Sequence, residues 1–222
     1  TPAWAAAENN GHKVAVIGAG PAGMACAAEL RKAGYEVTVF EKENTAGGLV
    51  RFGIPDYQMS KAILDDEVKA LTDAGVSFKF GCELGRDVTV DGLKSAGYEA
   101  VFVAIGAGKK QKSDIAGADR AIDAVEFLKA ISLGNKPAVK DNVVVIGRGF
   151  AAMDAARSAL RLGAKKVYIV YRRSIEELPA RREEVEHAEE EGIEFLLLTS
   201  PTEILGYENP DDKRDPKNGF VK

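Results

Sequence analysis

The amino-acid sequence predicts an α/β protein built from two parallel βαβ units in series. Three observations predict it. Two glycine fingerprints recur, Val14-Ala-Val-Ile-Gly18-Ala-Gly20-Pro-Ala-Gly23 and Val143-Val-Val-Ile-Gly147-Arg-Gly149-Phe-Ala-Ala152. Each follows an apolar run and opens an Ala-rich stretch with helical spacing. Each of those helices ends on a glycine at the same offset, Gly34 in the first copy and Gly163 in the second. Strand–helix alternation of this length calls for parallel strands joined by right-handed crossovers. The recurrence is a two-copy internal repeat, not a solenoid.

The elements follow in order. Residues 1–12 read as a flexible leader. A strand is expected over 13–17, a helix over 20–33 and a second strand over 36–40. An irregular stretch runs from Glu43 to Ser60, marked by Gly47-Gly48 and by Gly53-Ile-Pro55. Ile63, Val68 and Leu71 then recur at helical spacing over 60–74, up to Gly75. Short strands follow at 77–80 and 100–104, the latter running into Ile105-Gly-Ala-Gly108. A link carries a helical pattern near 122–132. Strand 142–146, helix 150–162, strand 166–171, helix 181–191 and strand 193–198 complete the second copy. From Gly206 the chain is polar and reads as a loop or hairpin tip. The division is a leader over 1–12, a first unit over 13–110, a linker with a short helix over 111–140 and a second unit over 141–222.

Composition narrows the function. The 222 residues are 45% hydrophobic and 29% charged, ordinary for a soluble globular protein. A formal charge of −4 argues against a nucleic-acid or anionic-membrane surface. No apolar run approaches the roughly 20 residues that span a bilayer, and the Ala-rich start lacks the pattern of a signal peptide. The cysteines are Cys26 and Cys82, with no CxxC. That excludes a thioredoxin-like redox pair and an iron–sulfur ligand set within these residues. Few cysteines fit a reducing compartment, so a cytoplasmic protein is expected.

The fingerprints carry the chemistry. A strand precedes the first, a helix follows it, and Glu41 ends the next strand at roughly the expected spacing of about 20 residues. Gly18 permits the tight turn, and Gly20 lets the backbone approach a pyrophosphate at the helix N-terminus. Gly23 lets the helix pack closely on the sheet. The Glu41 carboxylate is a candidate acceptor for both hydroxyls of an adenosine ribose. In the second copy the third glycine is Ala152, and the strand ends at Tyr171 with Arg172-Arg173 standing, to within one residue, where an acid is expected. A guanidinium pairs with a 2′-phosphate that an acid would repel. That reading favours NADP(H) over NAD(H); the alternative is a solvated surface pair with Glu176 and Glu177 nearby. Arg181-Arg182 opens an acid-rich helix, so simple ion pairing is the stronger reading there. Both units are thus Rossmann-like dinucleotide-binding units. His12 lies in the leader and His187 on the acidic helix, and no catalytic residue or metal ligand is assigned.

Several segments extend the match well beyond glycines: Gly47-Gly48-Leu49-Val-Arg51-Phe-Gly53-Ile-Pro55, Gly106-Ala-Gly108, Ala152-Met-Asp154-Ala-Ala156, Val170-Tyr-Arg172-Arg173 and Glu183-Glu-Val-Glu-His187-Ala. With these the chain resembles the small (beta) subunit of bacterial glutamate synthase from Lys13 to Gly206. The same module occurs in the flavin part of dihydropyrimidine dehydrogenase and in electron-bifurcating NADPH–ferredoxin oxidoreductases. The resemblance implies the FAD/NAD(P)-binding flavoprotein fold. FAD would sit in the first unit and NADP(H) in the second. Gly18, Ala19, Gly20, Pro21, Ala22 and Gly23 would hold the FAD pyrophosphate, Glu41 with Lys42 the adenosine end, and Gly48, Leu49 and Arg51 the flavin side. The backbone at Leu84 would meet the adenine, and Gly106 belongs to the same set. Gly147, Gly149 and Ala151 would face the NADP pyrophosphate, with Arg148 as a further phosphate contact, Phe150 adding bulk beside it, and Arg172 and Arg173 on the 2′-phosphate.

The resemblance further implies hydride transfer from NADPH to FAD, and electrons passed on to iron–sulfur clusters in regions outside this chain or in a larger partner subunit. The chain departs from the family at Gly147-Arg148-Gly149-Phe150, where Gly-Gly-Gly-Asn is usual, at Gln58 in place of a basic residue, and at Ile105 in place of threonine. The family's clustered N-terminal cysteines and its C-terminal return segment are not found, so a C-terminally incomplete fragment is expected. A non-catalytic nucleotide-binding fragment or electron-transfer scaffold is the alternative. A self-contained thioredoxin-reductase-like enzyme is disfavoured by the missing CxxC.

Overall fold

The computed structural model describes residues 6–108, 113–205 and 220–221. The chain divides into two compact units. The first comprises the described residues of Thr1–Phe52 and Asp56–Lys109, the second those of Gly53–Pro55 and Lys110–Lys222.

In the first unit β1 (Lys13–Ile17), α1 (Pro21–Lys32) and β2 (Glu36–Glu41) form the first crossover. Then come α2 (Gly48–Gly53), α3 (Ala62–Asp73), β3 (Ser77–Phe80), α4 (Val90–Ser95) and β4 (Ala100–Val103). The strands lie in the order β3-β2-β1-β4, all parallel. The run Val14-Ala15-Val16-Ile17 is buried along its whole length, as a parallel strand covered on both faces must be. Val16 joins Val37, Val39, Ala27, Leu71 and Val76 on one side of the sheet. Ala15 and Ile17 meet Phe40 and Leu93 on the other. Near β4 the pattern changes: Phe102, Val103 and Ile105 are exposed.

The second unit holds α5 (Ala124–Ser132), β5 (Asn142–Ile146), α6 (Phe150–Arg161), β6 (Lys166–Val170), α7 (Arg182–Glu190) and β7 (Glu194–Leu196). Its sheet runs β5-β6-β7, again parallel. Met153, Ala156 and Ala159 of α6 pack with Val167 and Ile169 of β6 and with Val185 and Ala188 of α7. The helix expected within a linker, α5, is capped by Asp123, whose carboxylate accepts the Val125 and Glu126 N–H groups. Its Phe127 packs against the second unit's core. A two-stranded antiparallel pair, β8 (Ile204–Leu205) with β9 (Phe220–Val221), follows. The polar stretch expected as a loop or hairpin tip falls between these strands, and residues 206–219 lie outside the described residues.

An ion-pair network joins α6 to the end of α7. The Arg157 guanidinium donates two bonds to Glu191 Oε1, at 3.0 and 2.8 Å. Arg161 donates to Oε2 at 2.6 Å and to Oε1 at 2.9 Å. Arg161, and then Arg157, hold the Glu191 carboxyl at about 2, against partial burial that pushes it up.

Most strands and long helices fall within one or two residues of their expected spans. Two short helices differ. The six-residue α2 lies inside the stretch expected to be irregular, and α4 has no counterpart among the expected elements. Strand β7 stops at Leu196, short of the expected 198, because the backbone at Leu198 turns left-handed.

Candidate functional site

Both glycine turns sit at the C-terminal ends of parallel strands, between a strand and the helix that it feeds. In the first, Gly18 takes φ 104° and donates its N–H to the Phe40 carbonyl at 2.7 Å, which fixes the turn to β2. A Cβ on Gly18 would strike the Ala104 carbonyl oxygen, and a Cβ on Gly23 would strike that of Gly18. These two glycines are therefore required by packing. Gly20 is different. Its Cβ would meet nothing closer than the Gly48 Cα, at 3.9 Å. It caps α1 with no side-chain acceptor, so the helix start is open to an anion. Gly47 donates to the Ala19 carbonyl at 2.8 Å, which brings the Gly47-Gly48 segment against the turn.

Glu41 is buried. Its Oε2 accepts the Ala19 N–H at 2.7 Å and its Oε1 the Glu43 N–H at 2.9 Å. The carboxylate thus ties the end of β2 to the glycine turn. Each oxygen retains a lone pair for a further donor. Arg51 is also engaged: its guanidinium donates to the Ala46 carbonyl and to Asp65, and braces the Gly47-Gly48 segment. Lys42 and Leu49 are exposed. Leu84 packs against the Ala15, Ile17, Phe40 and Leu93 cluster. Gly106 takes φ 71°, and a Cβ added there would have no atom within 4 Å.

The second turn reverses the steric demand. Ala152 stands in the third-glycine place, and a Cβ on Gly147 would meet the Ala152 Cβ at 2.7 Å. Gly149 has extended backbone, no side-chain cap for α6 and no atom within 4 Å of an added Cβ. Arg148 is exposed. Phe150 is half-exposed, with the Arg181 guanidinium 5.9 Å from its ring centroid. Ala151 is part-buried on the first turn of α6.

The hydrogen bonds align the two copies residue by residue. Gly147 donates to the Val170 carbonyl as Gly18 does to that of Phe40. Thr199 donates to Tyr171 as Cys82 does to Glu41, and Leu198 donates to Arg173 as Gly81 does to Glu43. Tyr171, not an arginine, therefore occupies the place of Glu41. Its ring is buried and its hydroxyl donates to the Glu177 carbonyl at 3.0 Å. The acid is thus replaced by a neutral group, with Arg172 next along the chain. Arg173 pairs with Glu177 at 3.1 Å and Arg182 with Glu186 at 2.9 Å, both exposed pairs. Among the described residues Arg172 is exposed and has no carboxylate partner. Carboxylate pairing therefore describes Arg173 and Arg182, while Arg172 is exposed to solvent.

Cys26 and Cys82 are both free thiols, and burial pushes the Cys26 thiol up, away from the reactive thiolate. Among the described residues no helix is long and apolar enough to cross a membrane, and no cluster of His, Cys, Asp or Glu is arranged to hold a metal.

Comparison with known proteins extends this picture. The sequence model of the pyridine nucleotide-disulphide oxidoreductase family matches residues 12–218. The chain is 43% identical over 204 residues to the NADP(+)-dependent formate dehydrogenase subunit beta of Moorella thermoacetica, a match over 90% of this chain and 29% of that protein. It is 40% identical over 210 residues to the glutamate synthase [NADPH] small chain of Azospirillum brasilense, over 88% of this chain and 43% of that protein. The chain therefore spans less than half the length of these relatives. Among solved structures, Mycobacterium tuberculosis FprA in complex with NADPH is similar in fold, with a TM-score of 0.74 at 22% identity over 95% of this chain and 66% of that one.

Proposed function

The chain belongs to the pyridine nucleotide-disulphide oxidoreductase family, and from that premise we propose that it is the nucleotide-binding module of an NADPH-dependent flavin oxidoreductase. FAD occupies the first unit and NADP(H) the second. The observation that carries this reading is the contrast between two turns of one repeat. One is tied to a buried carboxylate, Glu41, and the other is followed by a tyrosine and two arginines. When bound, the nucleotides supply hydride transfer from the reduced nicotinamide to the flavin, and the flavin can then release electrons singly.

The chain's own residues bind and orient. Gly20 and Gly149 leave the space that each pyrophosphate needs at the start of α1 and α6. Glu41 holds the first turn rigid and offers its remaining lone pairs to a ribose. Lys42, Gly48, Leu49, Leu84 and Gly106 complete the FAD contacts, with Arg51 bracing the flavin-side segment. Arg172 is the principal 2′-phosphate ligand; Arg173 must first leave, or share, Glu177. Hydride transfer between the two nucleotides calls for no side chain as acid, base or nucleophile. Neither cysteine has a CxxC partner, which disfavours a dithiol relay, and the proposed electron exit is to iron–sulfur clusters or a partner subunit. The names of the two relatives, a small chain and a subunit beta, support a larger assembly of that kind. A cytoplasmic location is part of the same proposal, supported by the small number of cysteines.

A second reading is a nucleotide-binding scaffold without turnover. The chain's match to only 29% and 43% of the length of two relatives favours it. Visible absorption of the FAD-reconstituted protein separates the two. Anaerobic NADPH bleaches the flavin band under the oxidoreductase reading. A bound flavin that NADPH leaves unbleached supports the scaffold.

A further inference from the structure

The turn that follows β6 fixes one carboxylate on one arginine. Glu177 Oε1 accepts from Arg173 Nη1 at 3.1 Å, and its Oε2 from the Ser174 N–H at 3.4 Å. The Glu177 N–H donates to the Ser174 carbonyl at 3.3 Å. The Glu177 carbonyl accepts the Tyr171 hydroxyl at 3.0 Å. Exposed ion pairs generally stabilise little, because two long side chains must be ordered to make them. Here the backbone of Glu177 is held on both sides, so its carboxylate meets Arg173 with less of that cost left to meet.

The repeat shows what is particular to the second unit. In the first unit the matching strand end is Glu41, whose carboxylate accepts the Ala19 N–H and ties β2 to its glycine turn. Tyr171 has no carboxylate to do this. Its hydroxyl instead anchors the turn Ser174–Glu177, and that turn carries an acid. The acid absent from the strand end therefore returns six residues later, against Arg173. Arg172, next to it, has no carboxylate partner among the described residues.

Resting on the reading of Arg172 and Arg173 as 2′-phosphate ligands, we infer that Glu177 is a selectivity residue of the second unit, an internal carboxylate that competes with the 2′-phosphate for Arg173. Tyr171 is its positioning residue. A guanidinium binds carboxylate and phosphate through the same planar fork of N–H donors, so the two anions contend for it. A phosphate brought against Glu177 also meets a like charge. A nucleotide that carries the 2′-phosphate must displace Glu177 from Arg173, whereas one that lacks it leaves the pair intact. The contact thus lowers the affinity for NADPH and NADP+ alike, leaves that for NADH unchanged, and narrows the preference that Arg172 creates.

Calorimetric titration with 2′,5′-ADP, NADPH and NADH tests the assignment. Glu177→Gln is expected to bind 2′,5′-ADP and NADPH about 2–5-fold more tightly, the range set by one exposed ion pair, with NADH unchanged. Tyr171→Phe keeps the ring, removes the hydroxyl, and is expected to shift the same way by a smaller factor. A merely structural role at either position would not raise affinity for the phosphorylated nucleotides alone. On an Arg173→Ala background Glu177→Gln is expected to change nothing. Tightening of equal size on that background would come from the charge of Glu177 without the pair, and overturns the inference. Wild-type 2′,5′-ADP affinity in folded Glu177→Gln also overturns it. If Arg172→Ala still weakens 2′,5′-ADP in that case, the 2′-phosphate reading stands and the competition alone is wrong. If the wild-type chain does not bind 2′,5′-ADP at all, the underlying NADP reading falls and the inference with it.

Discussion

Glycines 20 and 149 separate ligand demands from packing demands. Neither has a positive φ, and an added methyl group meets no atom closer than 3.9 Å at Gly20 and none within 4 Å at Gly149. Gly20→Ala and Gly149→Ala should therefore fold, with midpoints lowered only by the loss of a tolerable N-cap, about 1 kcal/mol or less. The methyl stands where a pyrophosphate must approach, so nucleotide affinity should fall at least about tenfold at the altered unit, measured by fluorescence titration. Gly23→Ala is the converse. Its Cβ strikes the Gly18 carbonyl oxygen, and the expected outcome is a destabilisation of about 2 kcal/mol or more in denaturant melts. The arginines are read the same way. Arg172→Ala should weaken NADPH by about 10–100-fold while NADH changes little, the loss of a charge-assisted phosphate contact. Arg173→Ala should cost less, because Arg173 already pairs with Glu177. Equal weakening of NADPH and NADH would remove Arg172 from the 2′-phosphate. The glycines and arginines are legible in the sequence because their chemistry is local. Tyr171 as the counterpart of Glu41 is legible only to within one residue. The Glu41 bond to Ala19 and the left-handed backbone at Leu198 are not legible, since both arise from the register of neighbouring strands.

Between elements, the contact most open to test is the one that closes α6 on α7. Glu191 accepts from Arg157 and Arg161, and its carboxyl is lowered to about 2. A carboxyl whose folded value lies below its unfolded value stabilises the fold above the unfolded value. That contribution is lost as the pH falls from about 4.5 towards 2. Discounted for the solvent that reaches it, the contribution is about 1–2 kcal/mol. Glu191→Gln should lower the midpoint at pH 7 by a few degrees and flatten the acid limb between pH 4.5 and 2. Equal acid limbs for the two proteins would show that the network adds nothing. The long elements are readable because periodicity, caps and terminal glycines agree: Gly34 and Gly163 both end helices at φ 87° and 104°. The six-residue α2 is hidden because Gly47-Gly48 and Pro55 signal a loop, and Arg51 stabilises it through Ala46 and Asp65, contacts set by the fold.

At the scale of the whole molecule, two copies of one supersecondary unit have been given different second-strand endings. In the proposed function the shared part, strand, glycine turn and helix, serves to bind a pyrophosphate without regard to the rest of the ligand. The divergent part, Glu41 in one copy and Tyr171-Arg172-Arg173 in the other, is the part proposed to select the adenosine. Each unit keeps its own core: Val16, Val37 and Val39 in the first, Met153 and Ile169 in the second. A substitution in one turn should therefore leave the other site's affinity intact. Isothermal titration of the purified chain with FAD and with NADPH, each in the absence and presence of saturating amounts of the other, measures this directly. One site for each is expected, neither nucleotide displacing the other, with Gly149→Ala weakening NADPH alone. Competition of FAD and NADPH for a single site would contradict it.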